Sequence, residues 1–252
     1  MKCKAVEVIA SSLEDAKTAK KAGADRIELC SSVYPAGGLT PSLGLLESII
    51  ESNLIQTACM IRPRGAGFCY WEDEFQTMLL DAKHFSAAGA NALVFGFLNK
   101  DFTPNIDYTN RFVDIIKSSY PKIECVFHRA FDLTPNADNA IEQLIDCNID
   151  RVLTSGHKKS AVDGAEEIKH LQRNYSSNIQ ILAGSGLRAD NVKEFINFTG
   201  VSQVHAGGHL WKEDSTTSRE EIDYSYLSSY KDKYNFLDLE TCKKFVKECK
   251  NI

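Results

Sequence analysis

The 252-residue sequence has no long hydrophobic run and no excess of basic residues. Its longest strongly apolar stretch, residues 92–98, is far shorter than the roughly 20 residues that a membrane-spanning helix needs. With 29 Lys and Arg against 34 Asp and Glu, the formal net charge of −5 gives no surface attractive to DNA, RNA or an anionic membrane. Residues 1–5 lead directly into a strand-like run rather than an apolar signal segment, so we expect a soluble, cytoplasmic protein.

The sequence also lacks any Cys-x-x-Cys pair. Its eight cysteines are scattered along the chain, so a zinc ribbon or a thioredoxin-type site is not expected. A long chain without a secretory signal does not need disulfides, and we expect mostly reduced thiols in a cytosol-like compartment. Hydrophobic residues make up 43% and charged residues 25%, an ordinary globular composition that excludes a disordered chain.

Short apolar or β-branched runs alternate with longer stretches of helical periodicity throughout the chain. Several predicted helices end in similar turns, such as Ala22-Gly-Ala-Asp25, where glycine allows a left-handed helix end before the next strand. The predicted strands cover 5–9, 26–30, 56–62, 92–97, 123–128, 151–155, 179–183 and 202–206. The predicted helices cover 13–22, 41–52, 72–88, 105–119, 136–147, 161–175, 189–198 and 239–250.

Eight such units in one chain predict an α/β fold, a TIM-like (β/α)8 barrel that forms a single domain over residues 1–252. A doubly wound sheet is the alternative, but it usually carries glycines in its first turn, which here reads Ile9-Ala-Ser-Ser-Leu13. The one irregular stretch, 207–236, is polar and then tyrosine-rich. We interpret it as a variable segment before the last helix, either a lid over the barrel mouth or a surface loop with a short extra helix.

Side chains of a barrel strand alternate between the interior and the helix layer. If apolar residues such as Val6, Val8 and Ile27 face the helices, the residues that alternate with them point into the barrel. Many of these inward-facing residues are polar, whereas Val, Ile and Leu usually fill a barrel interior. Burying so many polar groups is costly unless they pair or meet a ligand. The predicted inward-facing polar residues are Glu7, Glu28, Arg62, Glu124, His128, Gln180, Gln203 and His205.

Acid–base groups are predicted near the C-terminal ends of several strands, where barrel enzymes place their sites. Glu7 and Glu28 lie on adjacent strands and can share a proton, while His128 and His205 can act as acid–base groups or metal ligands. Asp132 lies just beyond the fifth strand. These five residues are the candidate catalytic groups.

Candidate substrate- or anion-binding groups follow the same strands. Arg62 and Arg64 can hold a carboxylate or phosphate through bidentate contacts. Glycine loops after the seventh and eighth strands resemble the phosphate-binding loops of barrels, although tight turns explain glycine about as often. The candidate set is Arg62, Arg64, Arg129, Thr154, Gly184, Gly186 and Gly207. The alternative interpretation is a purely structural ion-pair network of Glu7 and Glu28 with Arg62.

Ordered blocks over residues 6–206 resemble the CutC copper homeostasis family. They include Gly23-Ala-Asp-Arg-Ile-Glu-Leu-Cys-Ser31, Met60-Ile-Arg-Pro-Arg-Gly65, Phe127-His-Arg-Ala-Phe-Asp132 and Val204-His-Ala206. The resemblance implies a TIM-like barrel, a cytoplasmic location, a role in copper handling and, by family analogy, a homo-oligomer.

The resemblance also implies a metal site. Cu(I) prefers thiolate and imidazole ligands, and family members proposed to bind copper have a cysteine at the position of Ile9, beside the one that matches Cys30. Cys30 near the mouth and Cys69 on the loop after the third strand are the remaining candidate copper ligands. A free buried cysteine, however, commonly packs as a small hydrophobe.

Two functional hypotheses follow. The first is a copper homeostasis protein that binds copper ion. The second is a barrel enzyme of lyase, isomerase or hydrolase type that acts on a small anionic or sugar-like substrate at the C-terminal mouth. In the second hypothesis Glu28 or His128 transfers a proton, Arg62 and the glycine loops hold the anion, and His205 polarises an oxygen or helps to bind a divalent ion.

Overall fold

In the computed structural model, which describes residues 3–225, 230 and 232–251, eight parallel strands close into a barrel. The strands follow each other in chain order, and the eighth pairs with the first, so the predicted TIM-like (β/α)8 barrel is confirmed. The strands are β1 Ala5–Ala10, β2 Arg26–Leu29, β3 Gln56–Met60, β4 Ala92–Phe95, β5 Glu124–Phe127, β6 Arg151–Thr154, β7 Gln180–Gly184 and β8 Gln203–Ala206.

The helices surround the barrel, and several begin at the capping residues that favour helix starts. The side chains of Ser12, Asn105 and Asp238 each accept a backbone N–H of the first helical turn. The helices are α1 Leu13–Ala22, α2 Val33–Ala36, α3 Leu43–Glu51, α4 Glu72–Ala87, α5 Ile106–Ser119, α6 Ala137–Asp146, α7 Ala165–Tyr175, α8 Val192–Thr199 and α9 Leu239–Lys250. A 3-10 turn spans Arg129–Leu133. None of the described helices is long and apolar enough to cross a membrane.

Several element bounds differ from the sequence prediction by one to four residues, and two differences have a structural reason. Helix α7 begins at Ala165, whereas the sequence predicted a helix from residue 161. The backbones of Gly156 and Gly164 approach closely in the preceding loop, which delays the helix start. The short helix α2 was not predicted, since four residues are too few to show a helical period.

The apolar core has two parts. The larger part fills the space between the strands and the surrounding helices. The smaller part lies inside the barrel and consists of Cys30, Ala58, Met60, Ala92, Val94 and Val126, packed by Ile9 and Val33. The interior cluster is small because polar side chains occupy the barrel above and below it, as the alternation along the strands predicts.

The segment 207–236 forms strands in its described part, where it contains no helix. Strand β9, His209–Glu213, pairs with β12, Lys233–Leu237, and β10, Ser218–Arg219, pairs with β11, Ile222–Asp223. The alternative of a short extra helix is therefore wrong for those residues, while residues 226–229 and 231 lie outside the described chain. The ring centroid of Trp211 in β9 lies 5.3 Å from that of Tyr34, which places this segment at the rim of the barrel mouth.

Candidate functional site

A cavity of about 400 Å³ opens at the C-terminal ends of the strands. Its walls come from β1, β2, β3, β6, β8 and α2, and from the loops that follow β3, β5, β7 and β8. Barrel enzymes keep their sites at this end. Seven of the residues predicted from the sequence line it together: Glu28, Arg62, His128, Arg129, Gly186, His205 and Gly207.

Glu7 lies buried beside this cavity and joins two neighbouring strands. Strand register places Glu7 opposite Arg26 on β2 and opposite His205 on β8. Arg26 Nε donates to one carboxylate oxygen of Glu7, and His205 Nδ1 lies 2.7 Å from the other. Glu7 therefore forms its ion pair with Arg26. The structural interpretation had predicted an ion pair with Arg62 instead.

These contacts set the charges of Glu7 and His205. Burial alone would raise the pKa of Glu7, but Arg26 and His205 outweigh it and hold the pKa below its usual value. Burial alone would lower the pKa of His205, but the carboxylates of Glu28 and Glu7 raise it above its usual value. The pair is therefore a carboxylate facing an imidazole that readily holds a second proton.

Glu28 differs from Glu7 because it has no cationic partner at hydrogen-bond distance. Its side chain is buried, and Oε1 has no hydrogen-bond partner. Burial, partly offset by His205 and reinforced by Glu7, raises the pKa of Glu28 to about 7. A carboxyl group with this pKa exchanges its proton close to neutral pH, as a general acid–base group requires.

His128 is the second acid–base candidate on the cavity wall. Its Nδ1 accepts the backbone N–H of Ala130 at 3.2 Å, so the neutral ring carries its proton on Nε2, which has no partner. Burial, together with the charge of Arg62, lowers the pKa of His128 to about 3. The imidazole is thus neutral near pH 7, and its Nε2–H can donate to a ligand oxygen.

Gly96 provides the space for the His128 ring. A Cβ atom added at Gly96 would lie 2.6 Å from two atoms of the imidazole, closer than real Cβ contacts. We therefore expect Gly96→Ala to displace His128 and to lower the affinity of any ligand that the ring contacts by at least about tenfold, as cavity-wall shifts do. Ligand titration of Gly96→Ala checks this, with Gly44→Ala as the control because that glycine has open space around it. Unchanged affinity would contradict a role for the ring.

Arg62 fastens the loops at the mouth. Its guanidinium donates to the backbone carbonyls of Ala36, Gly38 and Ala66, and it lies over the ring of Phe68 with 5.1 Å from Cζ to the ring centroid. Its Nε is buried without a partner. Arg129 supplies the other guanidinium of the cavity, and its side chain is half-exposed at the rim.

Besides Glu7 and the two cysteines, four predicted site residues do not line this cavity: Arg64, Asp132, Thr154 and Gly184. Arg64 forms an ion pair with Glu74 in the first turn of α4, which draws it outward. Asp132 accepts hydrogen bonds from Thr154, Arg129 and the backbone of Ser155, so it anchors the 3-10 turn. Gly184 packs against the ring of His205, where a Cβ would lie 3.2 Å away.

The two cysteines predicted as copper ligands occupy different surroundings. Cys30 belongs to the apolar cluster inside the barrel, and burial raises the pKa of its thiol well above the usual value. Cys69 is exposed and lines a separate groove beside Arg64 and Asn99. Neither lines the mouth cavity, and no cysteine takes part in a group of three metal-ligating residues within the described chain.

One group of donors in the described residues could hold a metal ion: Glu7, Glu28 and His205, whose ligand atoms lie within 4.8 Å of one another. Both oxygens of Glu7 are already engaged, by Arg26 and by His205. This leaves Glu28 and His205 Nε2 as free donors, fewer than the three protein ligands of usual catalytic metal sites. A metal ion here would need Glu7 to bind it beside two existing hydrogen bonds, so the arrangement fits a proton-transfer network better than a resident metal ion.

Fold and site together define a (β/α)8-barrel protein with a buried acid–base cluster at its mouth. Residues 4–209 match the CutC family, and the chain belongs to this family. It is 42% identical over 212 residues to a family protein CutC of Treponema denticola, covering 84% of each chain. It is 41% identical over 207 residues to one of Citrobacter koseri, covering 82% of this chain and 81% of the relative.

Solved structures agree with this assignment. A CutC protein of Streptococcus agalactiae, provisionally described as a copper homeostasis protein, superposes with a TM-score of 0.73 at 30% identity, over 80% of this chain and 97% of that one. A phosphoribosylanthranilate isomerase of Pyrococcus furiosus superposes with a TM-score of 0.60 at 17% identity, over 98% of both chains. The second likeness shows the shared barrel fold alone.

Proposed function

We propose that this chain is an enzyme that performs acid–base chemistry, of isomerase, lyase or hydrolase type, on a small anionic substrate at the barrel mouth. One observation carries the proposal. Glu28 Oε1, Arg62 Nε and His128 Nε2 are buried without partners, and all three residues line the same cavity. An unsatisfied buried polar group costs about 1–3 kcal/mol, and such groups concentrate where a ligand supplies the missing partner.

The surrounding contacts suggest a role for each group. Glu28 transfers a proton to or from the substrate, and the imidazole of His205, held by Glu7, stabilises its carboxylate form. The Nε2–H of His128 donates to a substrate oxygen and stabilises negative charge that develops there. Arg129 and Arg62 attract the anionic group.

The compartment that we propose is the cytoplasm. All eight cysteines are free thiols, and seven of them are buried. Reduced, unpaired cysteines in this number are typical of a reducing compartment.

Deuterium exchange tests the proposed chemistry. A panel of sugar phosphates and small hydroxy- and keto-carboxylates would be incubated with the protein in D₂O, and incorporation into carbon-bound positions would be followed by NMR. We expect at least one compound to raise Tm and to exchange. Glu28→Gln should keep the Tm shift and lose about 10²–10⁴-fold in exchange rate, because the proton-transfer group is gone.

The matched control is Glu51→Gln, which changes an exposed carboxylate at the end of α3. It should exchange at the wild-type rate. Exchange that survives in Glu28→Gln, or a panel in which no compound raises Tm, would contradict the proposal.

Copper handling is a second candidate function, and the description of the Streptococcus agalactiae relative favours it. In this chain the candidate ligands would be Cys30 and Cys69, as the sequence predicts, and binding at Cys30 would require its buried thiol to lose a proton. Anaerobic titration with Cu(I) against a competing chelator tests it. Tight one-to-one binding that Cys30→Ser and Cys69→Ser abolish would support copper handling, and binding that neither variant changes would contradict these ligands.

A further inference from the structure

The N-terminal end of the barrel, opposite the mouth, contains a second polar layer. The first residues of five strands contribute long polar side chains that meet there: Arg26, Glu124, Arg151, Gln180 and Gln203. None of them lines the mouth cavity, and the hydrogen bonds described next join all five.

Hydrogen bonds link this layer into a chain around the barrel. Arg151 Nη2 donates to Glu124, and Arg151 Nε donates to Gln180 Oε1 at 3.1 Å. Gln203 donates to the same oxygen of Gln180, and Arg26 Nη2 donates to Gln203 Oε1 at 3.1 Å. This series of hydrogen bonds therefore extends from Glu124 to Arg26 and orients the guanidinium groups of Arg26 and Arg151.

One buried donor of this layer has no hydrogen-bond partner. Arg151 is 1% exposed, and its Nη1 is enclosed without a hydrogen bond. A charged N–H left in this state is more expensive than a neutral one, so the arrangement favours an acceptor that enters from outside. The same residue lines a cavity of about 710 Å³ that opens at this end of the barrel.

The charges around this cavity favour a negative occupant. Its walls carry three cationic side chains, Arg26, Arg151 and Lys122, and one carboxylate, that of Glu124. The carboxylate of Glu7 lies behind Arg26 and is paired with it. Lys122 is exposed at the opening, while Arg151 lies buried at the inner wall. Positive charge is therefore present at both the entrance and the inner end of the cavity.

We propose that this N-terminal cavity is a second ligand site, which binds a small oxyanion such as phosphate or a phosphate monoester between Lys122 and Arg151. Arg151 donates through Nη1 from a side chain that Glu124 and Gln180 hold in place. Glu124 is the group that opposes the anion, and its side chain, 36% exposed, has room to withdraw toward solvent. The site has no lining residue in common with the mouth cavity, although Arg26 also forms the ion pair with Glu7.

Titration of the full chain with inorganic phosphate, followed through backbone amide shifts at low ionic strength, tests this proposal. We expect saturable shifts at Asn91, Lys122 and Ile123, which border the cavity. Lys122→Ala should weaken binding at least about fivefold, and Glu124→Gln should strengthen it about tenfold, because one removes an attractive charge and the other a repulsive one. Lys193→Ala, which removes an exposed lysine of α8, serves as the control and should leave binding unchanged.

Several outcomes would overturn the site. Shifts confined to Gly186 and Gly207 would place phosphate at the mouth instead, and an absence of saturable shifts would show that no site exists. Equal weakening in Lys122→Ala and Lys193→Ala would show general attraction to lysines. Because Glu124→Gln retains an oxygen that can accept from Arg151, it keeps the barrel end paired and provides a test that does not depend on a weakened fold.

Discussion

Glu28→Gln is expected to raise the free energy of unfolding by about 3 kcal/mol at pH 8.5 and to leave it almost unchanged near pH 4. The folded-state pKa of Glu28 is about 7, against an ordinary value of 4.5. Between these values the folded protein binds more protons than the unfolded chain, so this group makes the wild type less stable as pH rises. Glutamine remains neutral and removes that dependence.

Urea unfolding of both proteins at pH 5, 7 and 8.5 measures the effect. The difference in free energy of unfolding between Glu28→Gln and the wild type should increase with pH and level off above pH 7. Glu51→Gln, at an exposed position, should follow the wild type throughout. A gap of the same size at every pH would show that the pKa of Glu28 is not raised. Active-site residues often lower the stability of an enzyme, so a stabilising effect of Glu28→Gln would also agree with the role proposed for Glu28.

The second large effect is expected at Glu7. Glu7→Gln should lower the free energy of unfolding by about 3–5 kcal/mol at pH 7, because it leaves the guanidinium of Arg26 buried without its countercharge. Since the pKa of Glu7 is lowered in the folded state, its stabilising contribution exists above the ordinary carboxylate pKa and disappears in strong acid. The difference between the variant and the wild type should therefore shrink as pH falls.

Two further variants separate this explanation from general disturbance of the core. Glu74→Gln removes the partner of Arg64, and both side chains of that pair are partly exposed, so the loss should stay within about 1 kcal/mol. The double variant Glu7→Leu, Arg26→Met should be more stable than Glu7→Gln, because it removes both charges together. If the double variant is the less stable of the two, the isolated guanidinium is not the cause.

The regular features of the barrel could be predicted from the sequence because they depend on local periodicity. Alternation along the strands placed Glu28, His128 and His205 on the inner side, and the structure brings all three to the cavity. The same rule applies to Arg26, which lies two residues before Glu28. Arg26 begins its strand and was not among the predicted inward-facing residues, although Glu124 and Gln203, which also begin strands, were.

Pairing between distant residues was beyond sequence reasoning. The sequence does not show that Arg62 donates most of its hydrogen bonds to loop carbonyls. Nor does it show that Arg64 forms an ion pair with Glu74, away from the mouth cavity. The strand pair β9–β12 was also missed, since each strand has only five residues and a long, largely polar stretch separates them. Such features depend on which loops meet in space, and periodicity carries no information about that.

Closure of the barrel has a consequence for how the site comes into being during folding. The hydrogen bond between Glu7 and His205 joins residues 198 positions apart, across the seam where β1 meets β8. Contacts of such long sequence separation carry the largest loop-closure entropy, and we expect them to form late. The contact between Glu7 and His205 therefore forms only when the first and last barrel strands have met, so a partly folded chain with most of its βα units in place would still lack the network on which the proposed chemistry depends.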